Sequence, residues 1–455
     1  MDNKREGFGS RTAVILAMAG SAIGLGNIWR FPYMAGEHGG AMFVLIYLFA
    51  TLLVSLPVFL AEVIVGRRSR SNAKSAFSIL APGKPFWKAI SFLPIFIPLL
   101  IASYYSVIGG WSVEFFIKSL GLTFTRIAPE ASTEVFTTFI AKPWLPVIMH
   151  LLFFLACAVV VSRGVKAGIE KFSKITLPIL FVLIVLITIY SLSLPGSKEG
   201  VEYLFKPDFS KFSPKTFAYA LGQSFYSLSL GMGAVITYGS YVDKKENLLA
   251  SSAGTAFFDL MFALLAGLAI MPAVFAAGIE PGAGPGLVFQ SIPYIFSKMG
   301  AQAPVISSIA AIIFFFTVII AAMTSLISLV EVGTAFLVEK YRMSRSRAVA
   351  IIFAACGSAG VLCSLSFGPL SGLTVAGKNI FDIFDWTASN ILLLVMAFLV
   401  VVFVGFVMKK SDVRDEFTNG GHLKGFSKPF NIIYFLIKWV APVAVLLIFI
   451  SNFIL

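Results

Sequence analysis

Charged residues are scarce in this 455-residue chain: Asp, Glu, Lys and Arg together make up 13% of it, against about 25% in a typical soluble domain. Hydrophobic residues account for 58%, and the mean hydropathy is +0.91. A water-soluble globular fold is excluded, because so much apolar surface needs lipid as its solvent. The composition therefore predicts an integral membrane protein that is surrounded by a lipid bilayer.

Cysteine and histidine are rare as well, with three of each. Cys157, Cys356 and Cys363 all fall in apolar segments, where packing is the simplest interpretation, so neither a disulfide framework nor a metal site is indicated. The histidines show no metal-ligand spacing, and no His/Glu or Cys/His grouping lies at membrane depth. No catalytic centre is predicted, and the protein is not expected to be an enzyme.

Apolar segments of roughly 18 or more residues recur along the chain, each long enough to cross a ~30 Å hydrocarbon core as a helix. They predict an all-α membrane protein of about eleven transmembrane helices, called spans 1 to 11 here. The predicted ranges are 11–36, 41–66, 89–117, 144–162, 169–194, 217–240, 248–277, 303–338, 348–367, 386–408 and 430–454. Span 1 is longer than the hydrophobic region of a signal peptide, contains Asn27 and Arg30, and is interpreted as a retained helix. Residues 1–455 are expected to form a single transmembrane domain.

The basic residues, which give a net charge of +13, are distributed unevenly between the loops. If the N-terminus is placed inside, 24 Lys and Arg residues fall on the inner side and nine on the outer side. This positive-inside bias predicts a cytoplasmic N-terminus and an outer C-terminus in the cell (inner) membrane. The basicity is thus explained by topology, and no nucleic-acid partner is expected.

A nucleotide-driven pump is also disfavoured. The stretch Gly372–Lys378 fits the pattern G-x-x-x-x-G-K of a phosphate-binding loop, but Asn379 follows where Ser or Thr would bind magnesium. The predicted topology places this stretch outside the cell. We interpret the match as chance and expect no ATP partner.

Two spans carry glycine pairs near their middle: Gly24-Leu25-Gly26 in span 1 and Gly231-Met232-Gly233 in span 6. Glycine destabilises a helix interior by roughly 1 kcal/mol relative to alanine, although close helix packing would be the simpler interpretation of either pair alone. However, spans 1 and 6 open two groups of five spans, 11–194 and 217–408, with opposite orientations. Interruptions at equivalent points of an inverted 5+5 repeat, unwound at the midplane, indicate the binding site of a transporter.

Asp259 is the strongest polar signal at membrane depth. A carboxylate near the centre of a span costs at least ~2.5 kcal/mol, and no basic residue lies well within span 7 to pair with it. A cation-related role is predicted, with structural pairing as the alternative. Hydroxyl residues at depth, such as Ser227 and Thr324, usually bond to their own backbone and are individually interpreted as structural.

At these residues the chain resembles the neurotransmitter:sodium symporter family over residues 5–455. The most specific elements are the Gly24–Pro32 stretch, which contains Asn27 and ends in Trp-Arg-Phe-Pro, and the Ser229–Gly233 break. Further matching pairs are Tyr104-Tyr105 in span 3, Thr324-Ser325 in span 8 and Asp385-Trp386 at the start of span 10. Eleven spans instead of twelve resemble the bacterial branch of the family.

The resemblance implies sodium-coupled import of an amino acid by alternating access, with two sodium sites. The first sodium site would use the Ala22 carbonyl with Asn27, Ser227 and Asp259. The second would use the Gly20 and Ile23 carbonyls with Ala321, Thr324 and Ser325. Oxygen ligands of this kind suit a hard monovalent cation. The substrate pocket would be lined by Ala22, Leu25, Gly26, Ile101, Tyr105, Tyr226, Ser229, Met232 and Leu329.

The resemblance also implies a substrate class. Amides around Leu25 and Gly26, at the start of the second half of span 1, would face the substrate carboxylate together with the Tyr105 hydroxyl. Gly24 stands where monoamine carriers place an aspartate, so the substrate should bring its own carboxylate. Apolar and aromatic pocket walls imply hydrophobic L-amino acids, including aromatic ones. A sugar or nucleobase carrier on the same helix arrangement is the alternative, and a membrane protein without transport function is a more distant one.

Two gates and an anion requirement complete the expectations. Arg30 and Asp385 would close the outer gate, with Tyr226 as a lid. Arg5 and Glu339 would close the inner gate, although Arg5 is equally well explained as a topology charge. Chloride-dependent relatives build an anion site that Tyr47, Gln223 and Ser227 match. Span 7, however, offers Asp259, whose fixed negative charge would replace the anion, so chloride should not be required.

Overall fold

The computed structural model describes residues 7–280 and 288–454. Within these two ranges the regular structure is helical, and no β-strand is formed. Nine of the described helices are long and apolar enough to cross a membrane, or ten if the two bent halves of span 1 are taken as one span. These observations confirm the all-α membrane class.

The helices coincide closely with the predicted spans. Span 1 is Arg11–Ala22 and Gly26–Glu37, and span 6 is Pro214–Ser227 and Ala234–Gly239. The other spans are Ala41–Ser69, Pro85–Leu120, Leu145–Ser162, Val165–Leu192, Leu248–Ala276, Pro304–Tyr341, Arg345–Leu365, Ile380–Val407 and Ser427–Ile454. Shorter helices between them are Ala73–Leu80, Thr123–Arg126, Pro129–Ile140, Ser197–Phe205, Ser291–Gly300 and Lys410–Thr418.

The difference from the predicted eleven spans comes from span 6. Its two halves have 14 and six residues, and neither alone reaches the roughly 20 residues that a hydrocarbon core requires. Span 1 is also broken, but its halves, bent by 53° to each other, together satisfy the length and hydropathy of a single span. The same glycine pairs that predict the site therefore also lower the number of continuous helices.

Polar side chains cap the N-termini of several helices. The Ser10 hydroxyl accepts a hydrogen bond from the Ala13 amide at 3.2 Å where span 1 starts, and the Ser213 hydroxyl accepts one from the Thr216 amide at 3.0 Å where span 6 starts. Asn247 caps span 7 in the same way. Each cap satisfies a backbone donor that has no partner within its helix.

Two groups of spans pack against each other. Spans 3, 4, 8 and 9 form one group, and spans 1, 2, 6 and 7 form the other. Glycines allow backbones to touch within each group: a Cβ on Gly110 would lie 2.5 Å from the backbone nitrogen of His150, and one on Gly66 would lie 2.0 Å from the Ile236 carbonyl oxygen. The broken segments of spans 1 and 6 lie in the second group and face spans 3 and 8 of the first.

Candidate functional site

Span 1 is interrupted between Ala22 and Gly26, as the first glycine pair predicts. The first half ends where Ile23 adopts an extended conformation (φ −69°, ψ 112°). The Gly24 amide donates to the Asn27 side-chain oxygen at 3.1 Å instead of to a helical carbonyl. Carbonyls in the last turn of the first half therefore lack helical donors and are available to other partners.

Span 6 is interrupted between Ser227 and Ala234. Ser229, Gly231 and Gly233 all have positive φ values, of 54°, 76° and 70°. Gly231 and Gly233 adopt this region at little cost, whereas Ser229 is strained there. The interruption carries Ser229 and Met232 into the space beside the broken part of span 1.

Glu62 in span 2 holds the interruption of span 6, and sequence reasoning missed it. The side chain is fully buried, and its Oε1 accepts a hydrogen bond from the Gly231 amide at 2.7 Å. Within the described part of the chain its second carboxyl oxygen has no hydrogen-bond partner. The cost of a carboxylate at membrane depth, which marked Asp259, applies equally to Glu62 and is the signal that could have found it.

The predicted side chains of the first sodium site form one hydrogen-bonded cluster. The Asn27 amide nitrogen donates to Ser227 Oγ at 3.0 Å and to Asp259 Oδ1 at 2.8 Å. Ser227 Oγ donates to Asp259 Oδ2 at 2.7 Å and accepts from the Tyr47 hydroxyl at 3.1 Å. Asn27 and Asp259 are fully buried, and Ala22 ends the adjacent half-helix. Spans 1, 2, 6 and 7 thus bring an amide side chain together with hydroxyl and carboxylate oxygens, and these oxygen groups fit a hard cation.

The predicted second sodium site lies between span 1 and span 8. Thr324 Oγ1 donates to the Ile23 carbonyl at 3.2 Å and to the Ala321 carbonyl at 2.9 Å. Ser325 Oγ lies 3.4 Å from the Ile23 carbonyl oxygen. A Cβ on Gly20 would lie 3.7 Å from Thr324 Cβ, so this residue belongs to the same cluster. Neutral oxygens dominate here, which is again suited to a monovalent cation.

A cavity lies between the two interruptions and spans 3 and 8. It is lined by Ala22, Gly24, Gly26, Ile101, Tyr105, Tyr226, Ser229, Met232, Ser325, Ser328 and Leu329. Every predicted pocket residue lines it except Leu25, whose amide instead donates to the Tyr105 hydroxyl at 3.2 Å. Ser325 and Ser328 are additions that the sequence did not predict for this cavity, and Gly24, which was used to predict the substrate class, also lines it.

The end of the cavity at Gly24 has no room for a side chain. A Cβ on Gly24 would lie 2.2 Å from Ser325 Oγ and 2.9 Å from the Tyr105 hydroxyl oxygen. The Leu25 amide donates to the Tyr105 hydroxyl oxygen at the start of the second half of span 1, and the Tyr105 hydroxyl, which lines the cavity, is suited to donate to a carboxylate. An acidic side chain at position 24 would require these groups to move apart.

Tyr226 lies at the edge of the cavity, beside Arg30. Ring atoms of Tyr226 would lie 3.0 and 3.1 Å from a Cβ on Gly26, and the Arg30 guanidinium lies 4.8 Å from the centre of the same ring. Arg30 Nη1 donates to Gln223 Oε1 at 2.8 Å, and Gln223 Nε2 donates to the Gly26 carbonyl at 2.8 Å. This chain of contacts joins the second half of span 1 to the first half of span 6.

The predicted outer gate pair is not in direct contact. Among the described residues no ion pair within 4.0 Å joins Arg30 to Asp385, and Asp385 Oδ1 instead accepts from Ser389 Oγ at 3.1 Å. At the predicted inner gate, Glu339 Oε2 accepts from the backbone nitrogen and the side-chain nitrogen of Asn72 at 2.8 and 2.9 Å. The predicted partner of Glu339, Arg5, lies outside the described residues.

A model of the sodium:neurotransmitter symporter family matches residues 5–138 and 140–455. The chain belongs to this family. It is 36% identical to an uncharacterized sodium-dependent transporter of Haemophilus influenzae, over 99% of each chain. It is 35% identical to an uncharacterized sodium-dependent transporter of Bacillus subtilis, over 98% of this chain and 97% of the relative. The protein is thus a sodium-dependent symporter and not an enzyme.

A solved structure and a more distant relative bear on the substrate and the anion. The crystal structure of MhsT in complex with L-phenylalanine superposes with a TM-score of 0.88 at 41% sequence identity, covering 98% of this chain and 99% of that one. The human sodium- and chloride-dependent creatine transporter is 26% identical over 90% of this chain and 72% of its own length. The family therefore includes a member that depends on chloride and a member that was crystallised with a free amino acid.

Proposed function

We propose that this symporter imports hydrophobic L-amino acids, including aromatic ones, together with sodium ions bound at two sites. The observation that carries the proposal is the cavity between the two interruptions. One end presents the Tyr105 hydroxyl, whose oxygen accepts a hydrogen bond from the Leu25 amide, and the walls include Ile101, Met232 and Leu329. A substrate carboxylate can accept from this hydroxyl, and an apolar side chain fits the walls.

The walls also support rejection of charged substrates. An unpaired charge against Ile101, Met232 and Leu329 would cost several kcal/mol, so lysine and glutamate should bind far more weakly than leucine. Met232 can adapt to different shapes because its thioether chain is unbranched. Discrimination among apolar side chains should be weak, since one methylene is worth only ~1–3 kcal/mol.

Independence of chloride is part of the proposal. Ser227 and Tyr47, two of the residues that match the anion site of chloride-dependent relatives, are hydrogen-bonded to each other, and Ser227 also donates to Asp259. The third, Gln223, is bonded to Arg30 and Gly26 instead. A chloride ion beside the Asp259 carboxylate would be strongly repelled in a medium of low dielectric constant.

The cytoplasmic N-terminus, the outer C-terminus and the single transmembrane domain over residues 1–455 belong to the same proposal. The positive-inside bias supports the orientation. The two groups of spans share the cavity between them, which supports treating the chain as one unit.

The test of substrate choice is competition by all twenty amino acids against labelled leucine in proteoliposomes. Tyr105→Phe should weaken binding by about 10-fold or more, because a hydrogen bond to a charged group is worth about 1.5–3 kcal/mol. Tyr190→Phe in span 5 is the matched control, since it removes a buried phenolic oxygen that does not line the cavity. Binding of glycine alone, of a charged amino acid, or of a sugar or nucleobase would contradict the proposal.

A further inference from the structure

Two serines from different spans are hydrogen-bonded to each other at the wall of the cavity. Ser21 Oγ, at the end of the first half of span 1, donates to Ser328 Oγ in span 8 at 2.8 Å. Ser328 is 1% exposed and lines the cavity, and Ser325 and Leu329 lie on the same face of the span 8 helix. Ser328 therefore contributes a hydroxyl to the cavity wall, and its donor Ser21 is not among the residues that line the cavity.

The hydroxyl proton of Ser328 already takes part in a hydrogen bond within span 8. Ser328 Oγ donates to the Ser325 carbonyl at 2.8 Å and accepts from Ser21 Oγ. A hydroxyl has one proton and two acceptor lone pairs, so one lone pair of Ser328 remains. In the described part of the chain no second donor reaches it, and the side chain faces the cavity. Towards a ligand, Ser328 can act only as an acceptor while the pair is intact.

The orientation of Ser21 is fixed by other residues of the site. Its carbonyl accepts hydrogen bonds from Ser229 Oγ at 3.0 Å and from Ser325 Oγ at 3.3 Å. These bonds hold the end of the first half of span 1 against spans 6 and 8. As a result, the direction of the remaining Ser328 lone pair is set by the fold and does not depend on a free hydroxyl rotor.

We propose that Ser328, oriented by Ser21, selects amino-acid side chains that carry a hydrogen-bond donor: the phenol of tyrosine and the indole N–H of tryptophan. The inference rests on the proposed function, because it assigns a part of the same cavity to the substrate side chain. A phenol that enters a purely apolar pocket loses its hydrogen bonds to water without replacement. An acceptor that is already in place removes that penalty and leaves apolar side chains acceptable.

A purely structural role for the pair is the competing explanation, since the Ser21–Ser328 bond also joins the two groups of spans. Two variants separate the explanations, because each breaks this bond but they differ in what remains in the cavity. Ser328→Ala removes the acceptor. Ser21→Ala keeps it and frees a second lone pair on Ser328.

The experiment measures competition against labelled leucine by ligands that differ in one donor: tyrosine against phenylalanine, and tryptophan against 1-methyltryptophan. In Ser328→Ala the affinity of each donor-bearing ligand relative to its partner should fall about fivefold to tenfold, the effect of one neutral hydrogen bond. In Ser21→Ala the same ratios should stay at the wild-type value or rise. Thermal unfolding of each purified variant reports that it is folded, and each ratio compares two ligands in the same variant, so a change in leucine affinity cancels.

Three results would overturn the inference. Unchanged ratios in Ser328→Ala would show that the acceptor does not contact the ligand. Equal loss of the ratios in both variants would assign the pair to structure alone. Absence of competition by any amino acid in the wild-type protein would refute the proposed function and the inference with it, whereas competition by phenylalanine with no sensitivity to Ser328 would refute the inference alone.

Discussion

The hydrogen bond between Glu62 and the interruption of span 6 provides a direct test of how the site is held. Glu62→Ala would leave the Gly231 amide, now bonded to Glu62 Oε1 at 2.7 Å, without its acceptor in a fully buried position. An unsatisfied buried donor costs about 1–3 kcal/mol. The same interruption places Ser229 and Met232 in the cavity. The unsatisfied amide should therefore destabilise the conformation of span 6 that binds the substrate. Affinity should therefore fall by about 5-fold to 150-fold.

Glu62→Gln is the variant to compare with Glu62→Ala, because the glutamine side chain keeps a carbonyl oxygen that can accept the hydrogen bond from the Gly231 amide. It should retain affinity to within a few-fold. Glu114→Ala is the matched control: Glu114 is a buried acid in span 3 that pairs with Lys118 at 3.2 Å and does not line the cavity. The assay is equilibrium binding of labelled leucine to purified protein in sodium, with thermal unfolding measured in parallel. Wild-type affinity in Glu62→Ala, or equal damage from Gln and Ala, would refute the reasoning.

Gly24→Ala should abolish substrate binding, because the alanine Cβ would lie 2.2 Å from Ser325 Oγ. Wild-type binding in this variant would contradict the close packing of Gly24 against Ser325. Thr324→Val should raise the sodium concentration needed for half-maximal leucine binding by several-fold through loss of an oxygen ligand, as a sodium titration measures. Asp259→Ser should create a chloride requirement, which is measured as uptake with gluconate as the sole anion. If the wild-type protein also fails to take up substrate without chloride, the role assigned to Asp259 is wrong. Asp385→Asn should reduce turnover more than equilibrium binding, because the residue is assigned to closure; full transport activity would rule out the gate role.

Local properties of the sequence were enough to predict the spans and their interruptions. Hydropathy and length identify helices such as Leu145–Ser162, and the paired glycines identify the unwound segments because backbone propensity acts over a few residues. The oxygen ligands of the two predicted sodium sites came from the family resemblance, and the structure places them in two clusters. Composition or spacing alone would not have joined Asn27 to Asp259, which are separated by 232 positions.

Other features depend on which side chains meet after packing, and they could not be predicted. The bond from Ser21 to Ser328 requires the registers of spans 1 and 8 relative to each other. The contacts of Arg30 with Gln223 and Tyr226 were also not predicted, because a long guanidinium side chain can reach several partners that the sequence does not rank. Nine or ten helices pass as continuous spans in the described residues, against about eleven predicted spans, because span 6 is present as two shorter helices.

The central claim is that sodium drives the import of a hydrophobic amino acid, and accumulation of labelled phenylalanine in proteoliposomes tests it most directly. An inward sodium gradient should produce transient accumulation above the outside concentration, and unlabelled tryptophan should suppress it while lysine should not. Replacing external sodium by potassium or choline, with the amino acid unchanged, should abolish the accumulation. Equal accumulation without sodium, or none with the gradient in protein that binds leucine, would contradict the account.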